Sequence, residues 1–403
     1  MKASQYSSIL RKNLLIFAAA LILLFALTFE FHPRSSQIID LSTGSGLSKM
    51  LRYDDAQVYL FGEAHRKVEY QQFRNVLFKY LVEKKGVRVL VEEAGYATTF
   101  LENETVQGRL SFSDWLDRCI SSKADYELYQ WIADWNSGRE DAEKISIIGI
   151  DITDNIGNMQ ILCQYLLKTC DFTGADEQTQ RLLTAIRKQN PFSSLQLQTF
   201  QDEFLPQLIE LYQTKPEQLE NVLGTQAMHL ERALLGWQEA LERQKLRGKV
   251  EQLGGPGDVY RENCLYKHFM REYQERPDTK YYGEFGAAHV LMSDYSGKMY
   301  RVQNSFVTRL AEEGSPLNGK LTVIDGGLTF EIGNLGESDT NKATLYNTAR
   351  AKNPAAESGK FFAGSPDIPD EKIAQYAMLF EHPDQITNSE EHPGWYWLIH
   401  KKE

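Results

Sequence analysis

The sequence predicts an α/β fold: a mostly parallel sheet, mixed at its edge, with flanking helices and a helical insertion, preceded by one N-terminal transmembrane helix. Short apolar runs of strand character alternate with segments whose apolar residues repeat at helical spacing, which is the pattern of β-α-β units. Between about Asn155 and Leu253 only helix-period segments occur. Asn13 to Phe29 carries no charge, is dominated by Leu, Ile, Phe and Ala, and is about long enough to cross a bilayer core.

Taken in order, the apolar run comes first. Lys2, Arg11 and Lys12 precede it and Glu30 follows, so the positive-inside rule predicts a cytoplasmic N-terminus and an extracytoplasmic body. A cleaved signal peptide needs small residues before the cut, and Ala26-Leu27-Thr28 followed by Phe29, Glu30 and Phe31 supplies a poor site. The run, residues 1–31 with its cytoplasmic tip, is therefore read as an uncleaved anchor, with a signal peptide as the alternative. Residues 32–55 have linker composition, with a short helix near Leu47 to Leu51.

The domain is expected over 56–403. Val58 to Phe61 and Val87 to Glu92 read as strands, and Phe73, Val76, Leu77, Tyr80 and Leu81 between them repeat as a helix face. Ile145 to Ile150 is a third strand, reached through helical stretches around Trp115, Leu116, Tyr129, Ile132 and Trp135. The helical insertion spans about 155–253 and closes at Gly254-Gly255-Pro256-Gly257, where Asp258 is placed to cap a helix from about Val259 to Tyr273. Tyr281 to Phe285, Leu321 to Ile324, Ala377 to Phe380 and Tyr396 to Ile399 complete the strands, with a Gly-, Ser- and Pro-rich loop from Asn353 to Pro369.

Composition narrows the function. At 403 residues, 42% hydrophobic and 25% charged, the chain can bury one large core or two ordinary ones. Lys and Arg total 44 against 55 Asp and Glu, a net charge of −11, and such a surface repels phosphate backbones, which argues against nucleic acid as a partner. Cys119, Cys163, Cys170 and Cys264 contain no C-x-x-C pair; they are read as free thiols rather than a zinc ribbon or redox motif.

The chemistry gathers at strand ends. Alternation along Tyr59, Phe61, Glu63 and His65 puts the last two on one face. The second strand ends in Glu92-Glu93, the third in Asp151, and the fourth in Gly286-Ala287-Ala288-His289. In a parallel sheet these ends share one edge, where such folds bind ligands, so Glu63, His65, Glu93, Asp151 and His289 are expected to converge. His229 and His268 lie beside apolar helical positions and read as packing residues, while His32, His382, His392 and His400 fall in termini or turns. The sequence has no H-E-x-x-H, G-x-S-x-G, Walker loop or strand-borne G-x-G-x-x-G.

The stretch Tyr59-Leu60-Phe61-Gly62-Glu63-Ala64-His65, followed by Glu69, Arg74 and Glu92-Glu93-Ala94-Gly95-Tyr96, resembles the superfamily of erythromycin esterases, ChaN-like haem-binding proteins and Tiki/TraB proteins. A single residue between Glu63 and His65 is nearer the ChaN pattern. Glu93-Ala94-Gly95-Tyr96 and Ile148-Gly149-Ile150-Asp151 are similar to esterase segments, and Arg261-Glu262 also matches. Gly286-Ala287-Ala288-His289 is similar to Tiki/TraB. The resemblance implies a hydrolase-like site in which Glu63, His65, Glu93 and His289 act and Glu69, Arg74, Asp151 and Arg261 support them.

On this reading His65 accepts a proton from water, Glu63 or Glu93 orients it, and His289 stabilises the oxyanion or protonates the leaving group. The substrate is then a small molecule or peptide with an ester, lactone or amide bond. The alternative is an exported binding protein without turnover, in which Glu63, His65, Glu93 and His289 hold zinc or manganese, or the domain holds haem. A degenerate site that only scaffolds a partner is the third reading.

Overall fold

The computed structural model describes residues 37–40, 43–51, 55–63, 68–114, 122–152, 155–247, 254–290, 295–296, 301–302, 304–325, 376–381 and 395–400. The apolar run Asn13–Phe29, His65 and the loop Asn353 to Pro369 lie outside them. Among the described residues no helix is long and apolar enough to cross a membrane.

An eight-stranded sheet forms the frame. Its strands are β1 (Gln37–Asp40), β2 (Val58–Glu63), β3 (Val87–Gly95), β4 (Ser146–Asp151), β5 (Lys280–Gly286), β8 (Leu321–Asp325), β9 (Tyr376–Glu381) and β10 (Trp395–His400), in the order β1-β9-β10-β8-β2-β5-β3-β4. β6 (Tyr295–Ser296) and β7 (Arg301–Val302) form a separate two-stranded ribbon. The five strands β8-β2-β5-β3-β4 are all parallel. Beyond β8, β10 continues parallel, β9 turns antiparallel to it, and β1 runs antiparallel to β9.

The central strands are apolar on both faces because both faces are covered, as parallel sheets require. Tyr59, Phe61, Leu90 and Tyr282 point into one core with Leu81, Leu101 and Ile132, carried by the helices Val68–Lys85, Tyr96–Val106 and Lys123–Asn136. Val58, Leu60, Val89, Val91, Tyr281 and Phe285 point into the other with Leu265, Phe269 and Leu310, from the helices Pro256–Glu275 and Phe306–Ala311. The Val68–Lys85 helix stops at Gly86, whose φ of 78° is the left-handed conformation that glycine accepts without a Cβ penalty.

Over its described length, 155–247, the insertion consists of helices joined by turns, with no strand. Asn155 and Asp176 cap its first helices by accepting the Gly157 and Thr179 amides at 2.7 and 2.8 Å. Its last helix, Ala227–Arg247, packs against Tyr96–Val106 on one face of the sheet and Pro256–Glu275 on the other, so the insertion wraps the β4 side. Arg232 and Arg243 fix it to Glu272 and Asp258 at 2.6 and 2.9 Å.

Three sequence expectations are corrected. The segment read as linker contains β1, whose Gln-Ile-Ile-Asp has too few apolar residues to stand out and is ordered by pairing with β9. Asp258 is not the cap of its helix: Pro256 occupies the first turn, Gly255 the cap position, and Asp258 instead accepts from the Gly254 amide and Arg243. His400 ends β10 opposite Ala377 rather than lying in a turn.

Gly149 shows how tightly the β3 end crosses β4. A Cβ there would collide with the Ala94 carbonyl and the Thr99 hydroxyl, and backbone cannot retreat cheaply. Gly149→Ala should therefore destabilise the protein by about 1–3 kcal/mol. In thermal unfolding, Gly174→Ala, where a Cβ meets nothing within 4 Å, should leave the melting temperature unchanged; equal melting of both variants would contradict this packing.

Candidate active site

β2, β5, β3 and β4 are neighbours, so their C-terminal ends open on one edge. The Pro256–Glu275 helix begins at that edge and directs Arg261 between the strand ends. Its guanidinium grips Asp151 with two bonds, Nε to Oδ1 at 2.8 Å and Nη2 to Oδ2 at 2.5 Å, and donates from Nη2 to Glu93 Oε1 at 2.6 Å. The planar fork of arginine suits such bidentate holding. The Gly286 amide, at the end of β5, donates to Glu93 Oε2 at 2.6 Å, and the Ile152 amide donates to Asp151 at 2.8 Å.

His289 sits in the single turn Ala287–Val290 directly after β5. Its Nδ1 is hydrogen-bonded to Glu262 Oε1, and its Nε2 lies 3.1 Å from Glu93 Oε1 and 3.0 Å from Arg261 Nη1. Glu262 is in turn held by the Phe306 amide at 2.8 Å. Burial opposes charge on this imidazole, but the Glu262 and Glu93 carboxylates overcome it and its pKa is pushed up to about 10. Protonated, His289 donates to both carboxylates; deprotonated at Nε2, it can accept from Arg261 Nη1. Burial likewise opposes charge on Glu93, and His289, Arg261 and the Gly286 amide together hold its carboxyl well below the usual carboxylate range.

The other face of the same edge carries a second cluster. Register places Phe61, Glu284 and Glu92 side by side on β2, β5 and β3, with Glu63 opposite Gly286 two residues further on. Glu63 is buried. Arg74, from the Val68–Lys85 helix, donates to Glu284 at 3.0 Å and to Asp125 at 2.6 Å; these carboxylates keep its pKa raised although burial opposes its charge. Burial, and after it the charge of Glu63, pushes Glu284 up to about 7, against the pull of Arg74. Tyr129 donates to Glu92 at 2.8 Å. Burial raises Glu92, and burial with the charge of Glu92 raises Glu102 beside it.

Of the residues singled out by sequence, Glu93, Asp151, Arg261 and His289 thus meet in one network. Glu63 and Arg74 lie on the opposite face, joined to that network through Gly286, which faces Glu63 in register and bonds Glu93 through its amide. His65 lies outside the described residues, as does the side chain of Glu69. Glu262, Glu284 and Asp125 are additional members. Glu284 had a sequence signal, a carboxylate inside an otherwise buried strand; Glu262 had only its place beside Arg261. His268 and His229 are packing residues, bonded to the Ile150 carbonyl at 2.9 Å and the Tyr96 hydroxyl at 2.7 Å.

The described residues do not fit a metal centre. The cation at the middle of Glu93, Asp151 and His289 is Arg261, and among the described residues no group of three or more His, Cys, Asp or Glu is placed to hold a metal ion. Both ring nitrogens of His289 are engaged by carboxylates, so neither is presented to a haem iron.

Glu284 has a measurable signature. Its folded pKa of about 7 exceeds the ordinary 4.5, so between these values the native state binds a proton that the unfolded chain does not, and stability falls as pH rises through the window. Glu284→Gln should flatten the pH 4.5–7 part of a melting-temperature profile. An unchanged slope would remove the assignment.

No family model matches this chain, and no curated protein matches it in sequence. Among solved structures, an erythromycin esterase, a mutant of EreC in its open conformation, is similar over 72% of this chain and 76% of its own, with a TM-score of 0.49 and 15% identity. A succinoglycan biosynthesis protein is similar over 71% of this chain and 69% of its own, with a TM-score of 0.48 and 19% identity. A protein of Bacillus cereus is similar over 91% of this chain and 95% of its own, with a TM-score of 0.55 and 16% identity; at that identity the likeness speaks to fold, and the chain shares the α/β fold of that protein over nearly its whole length.

Proposed function

We propose that this protein is a membrane-anchored, extracytoplasmic hydrolase of an ester, lactone or amide bond. The observation that carries the reading is the Arg261 and His289 pair, two buried cations held by Glu93, Asp151 and Glu262 at the strand-end edge, the edge at which β2 ends in Glu63. Fixed positive charge in a buried site is what a developing oxyanion needs.

In the reaction, His65 takes a proton from water as its oxygen attacks the carbonyl carbon. Glu93 is engaged by Arg261, His289 and the Gly286 amide, so the orienting carboxylate for His65 is Glu63. Negative charge gathering on the carbonyl oxygen is stabilised by Arg261 and His289; the bond to the leaving group then breaks, and that group departs with a proton from His289 or His65. Glu262 keeps the His289 ring in place, as the buried carboxylate of a hydrolytic triad does for its histidine. The apolar run Asn13–Phe29 anchors the domain with the N-terminus in the cytoplasm.

The full-length protein, screened in detergent against ester, lactone and peptide libraries with and without divalent metal, should hydrolyse at least one class. His65→Ala, His289→Ala and the double variant should then be almost equally inactive, because groups acting as a unit lose function non-additively. Stoichiometric haem or metal without turnover would establish the binding-protein reading instead. A reporter fused after Glu403 should be extracytoplasmic; a protected cytoplasmic reporter would refute the anchor.

A further inference from the structure

The Glu63 face of the strand-end edge gathers more negative than positive charge. Glu284 and Glu92 stand side by side in register on β5 and β3, Glu102 comes from the helix Tyr96–Val106, and Asp125 comes from the helix Lys123–Asn136. Arg74 bonds Glu284 and Asp125, and its charge also pulls on Glu92. Four carboxylates thus share one guanidinium, and burying carboxylates without a matching cation is costly.

Two buried oxygens mark the same place for a ligand. Tyr282 stands two residues before Glu284 on the same face of β5, fully buried, with its ring against Phe78. Burial raises its hydroxyl well above the ordinary range, and the side-chain charges acting on it are those of Glu284, Arg74 and Glu63. The hydroxyl is therefore aimed into the carboxylate cluster, yet among the described residues it meets no hydrogen-bond partner, and neither does the buried Glu102 Oε2 beside Glu92. Buried polar atoms are paired in the great majority of native proteins, because an unmade bond costs more than a made one contributes. A carboxylate oxygen can only accept and a phenol oxygen can accept as well as donate, so the group that completes this place is a donor carrying positive charge. The cluster is open to such a group: the side chains of Glu284 and Asp125 are 15% and 29% exposed.

We propose that this face is a subsite for a primary ammonium group of the substrate, with Glu284 and the Tyr282 hydroxyl accepting its N–H bonds and Glu92 and Glu102 adding negative charge beside it. An alkylammonium offers three donors on one charged nitrogen; a quaternary ammonium offers none. The inference rests on the hydrolase reading and narrows its substrate to an amine-bearing ester, lactone or amide. The groups facing Glu284 are Arg74 and Asp125 from the two helices, Glu63 and Glu92 from the flanking strands, and Tyr282 on its own strand. Ionised Glu284 holds an ammonium better than protonated Glu284 does. Burial, and after it the charge of Glu63, sets the Glu284 pKa at about 7 against the pull of Arg74, so binding strengthens as pH rises through that value, while an alkylammonium with an ordinary pKa of about 10.4 keeps its charge.

Calorimetry on the full-length protein in detergent should show n-butylammonium binding at least about tenfold more tightly than n-butanol, butyrate or butyltrimethylammonium, the loss expected when a charge-assisted bond is missing. The affinity should rise several-fold between about pH 6 and about pH 8. Glu284→Gln and Glu92→Gln should each weaken it; should Glu284→Gln fail to fold, Glu92→Gln and the ligand series with the unaltered protein decide. In turnover, the p-nitrophenyl ester of ε-aminocaproic acid should have a lower KM than that of heptanoic acid, which has the same length without the charge. The p-nitroanilides of lysine and norleucine form the matching peptide-like pair, and the pair showing the larger KM difference tells whether the amine arrives on a small ester or on a peptide. Binding of n-butylammonium no tighter than n-butanol, an affinity independent of pH, or binding unmoved by both substitutions would overturn the proposal. Absence of turnover of every ester and anilide would count against the hydrolase reading alone, with n-butylammonium binding still deciding the subsite.

Discussion

Arg261 is the constraint on which the candidate site depends. A guanidinium in contact with Asp151, Glu93 and His289 joins one helix to the ends of three strands that are far apart in sequence. Removing that charge would leave two buried carboxylates facing each other, and a lone buried charge costs far more than a paired one contributes. The arrangement is thus all or nothing: β3, β4 and the turn after β5 must meet the helix together, and the parallel frame brings them there.

The two faces of the same edge differ in charge balance, and this assigns them different work. On the His289 face, Arg261 and His289 are paired with Glu93, Asp151 and Glu262. On the Glu63 face, Arg74 is the cation in contact with Glu284 and Asp125, while burial raises Glu92 and Glu102, against the pull of Arg74 on Glu92. One face therefore carries paired opposite charges, and the other carries carboxylates whose pKa values burial pushes up.

The central strands were legible because a parallel strand buried on both faces is a largely apolar run, as Val58 to Phe61 is throughout and as Val87 to Glu92 and Tyr281 to Phe285 are apart from Arg88, Glu92 and Glu284. β1 was not, since a short edge strand depends on its partner more than on its own residues. Glu93, Asp151 and His289 were legible because they follow strands, and strand ends share an edge by topology alone. Glu262 and Asp125 were hidden, each on a helix whose rotation about its axis decides which neighbour a side chain meets, and sequence period does not give that angle. The split of Glu92 and Glu93 to opposite faces follows from strand alternation, yet which face holds Arg261 became visible only with the packed helix.

The central claim, a histidine kept charged by its two carboxylates, is tested most directly by following the His289 ring by NMR through a pH titration of the protein and of Glu262→Gln. The ring should remain protonated through neutral pH and titrate near the value of about 10 that its partners impose, moving down when Glu262 loses its charge. A ring that titrates near its ordinary 6.5, unmoved by Glu262→Gln, would contradict the account.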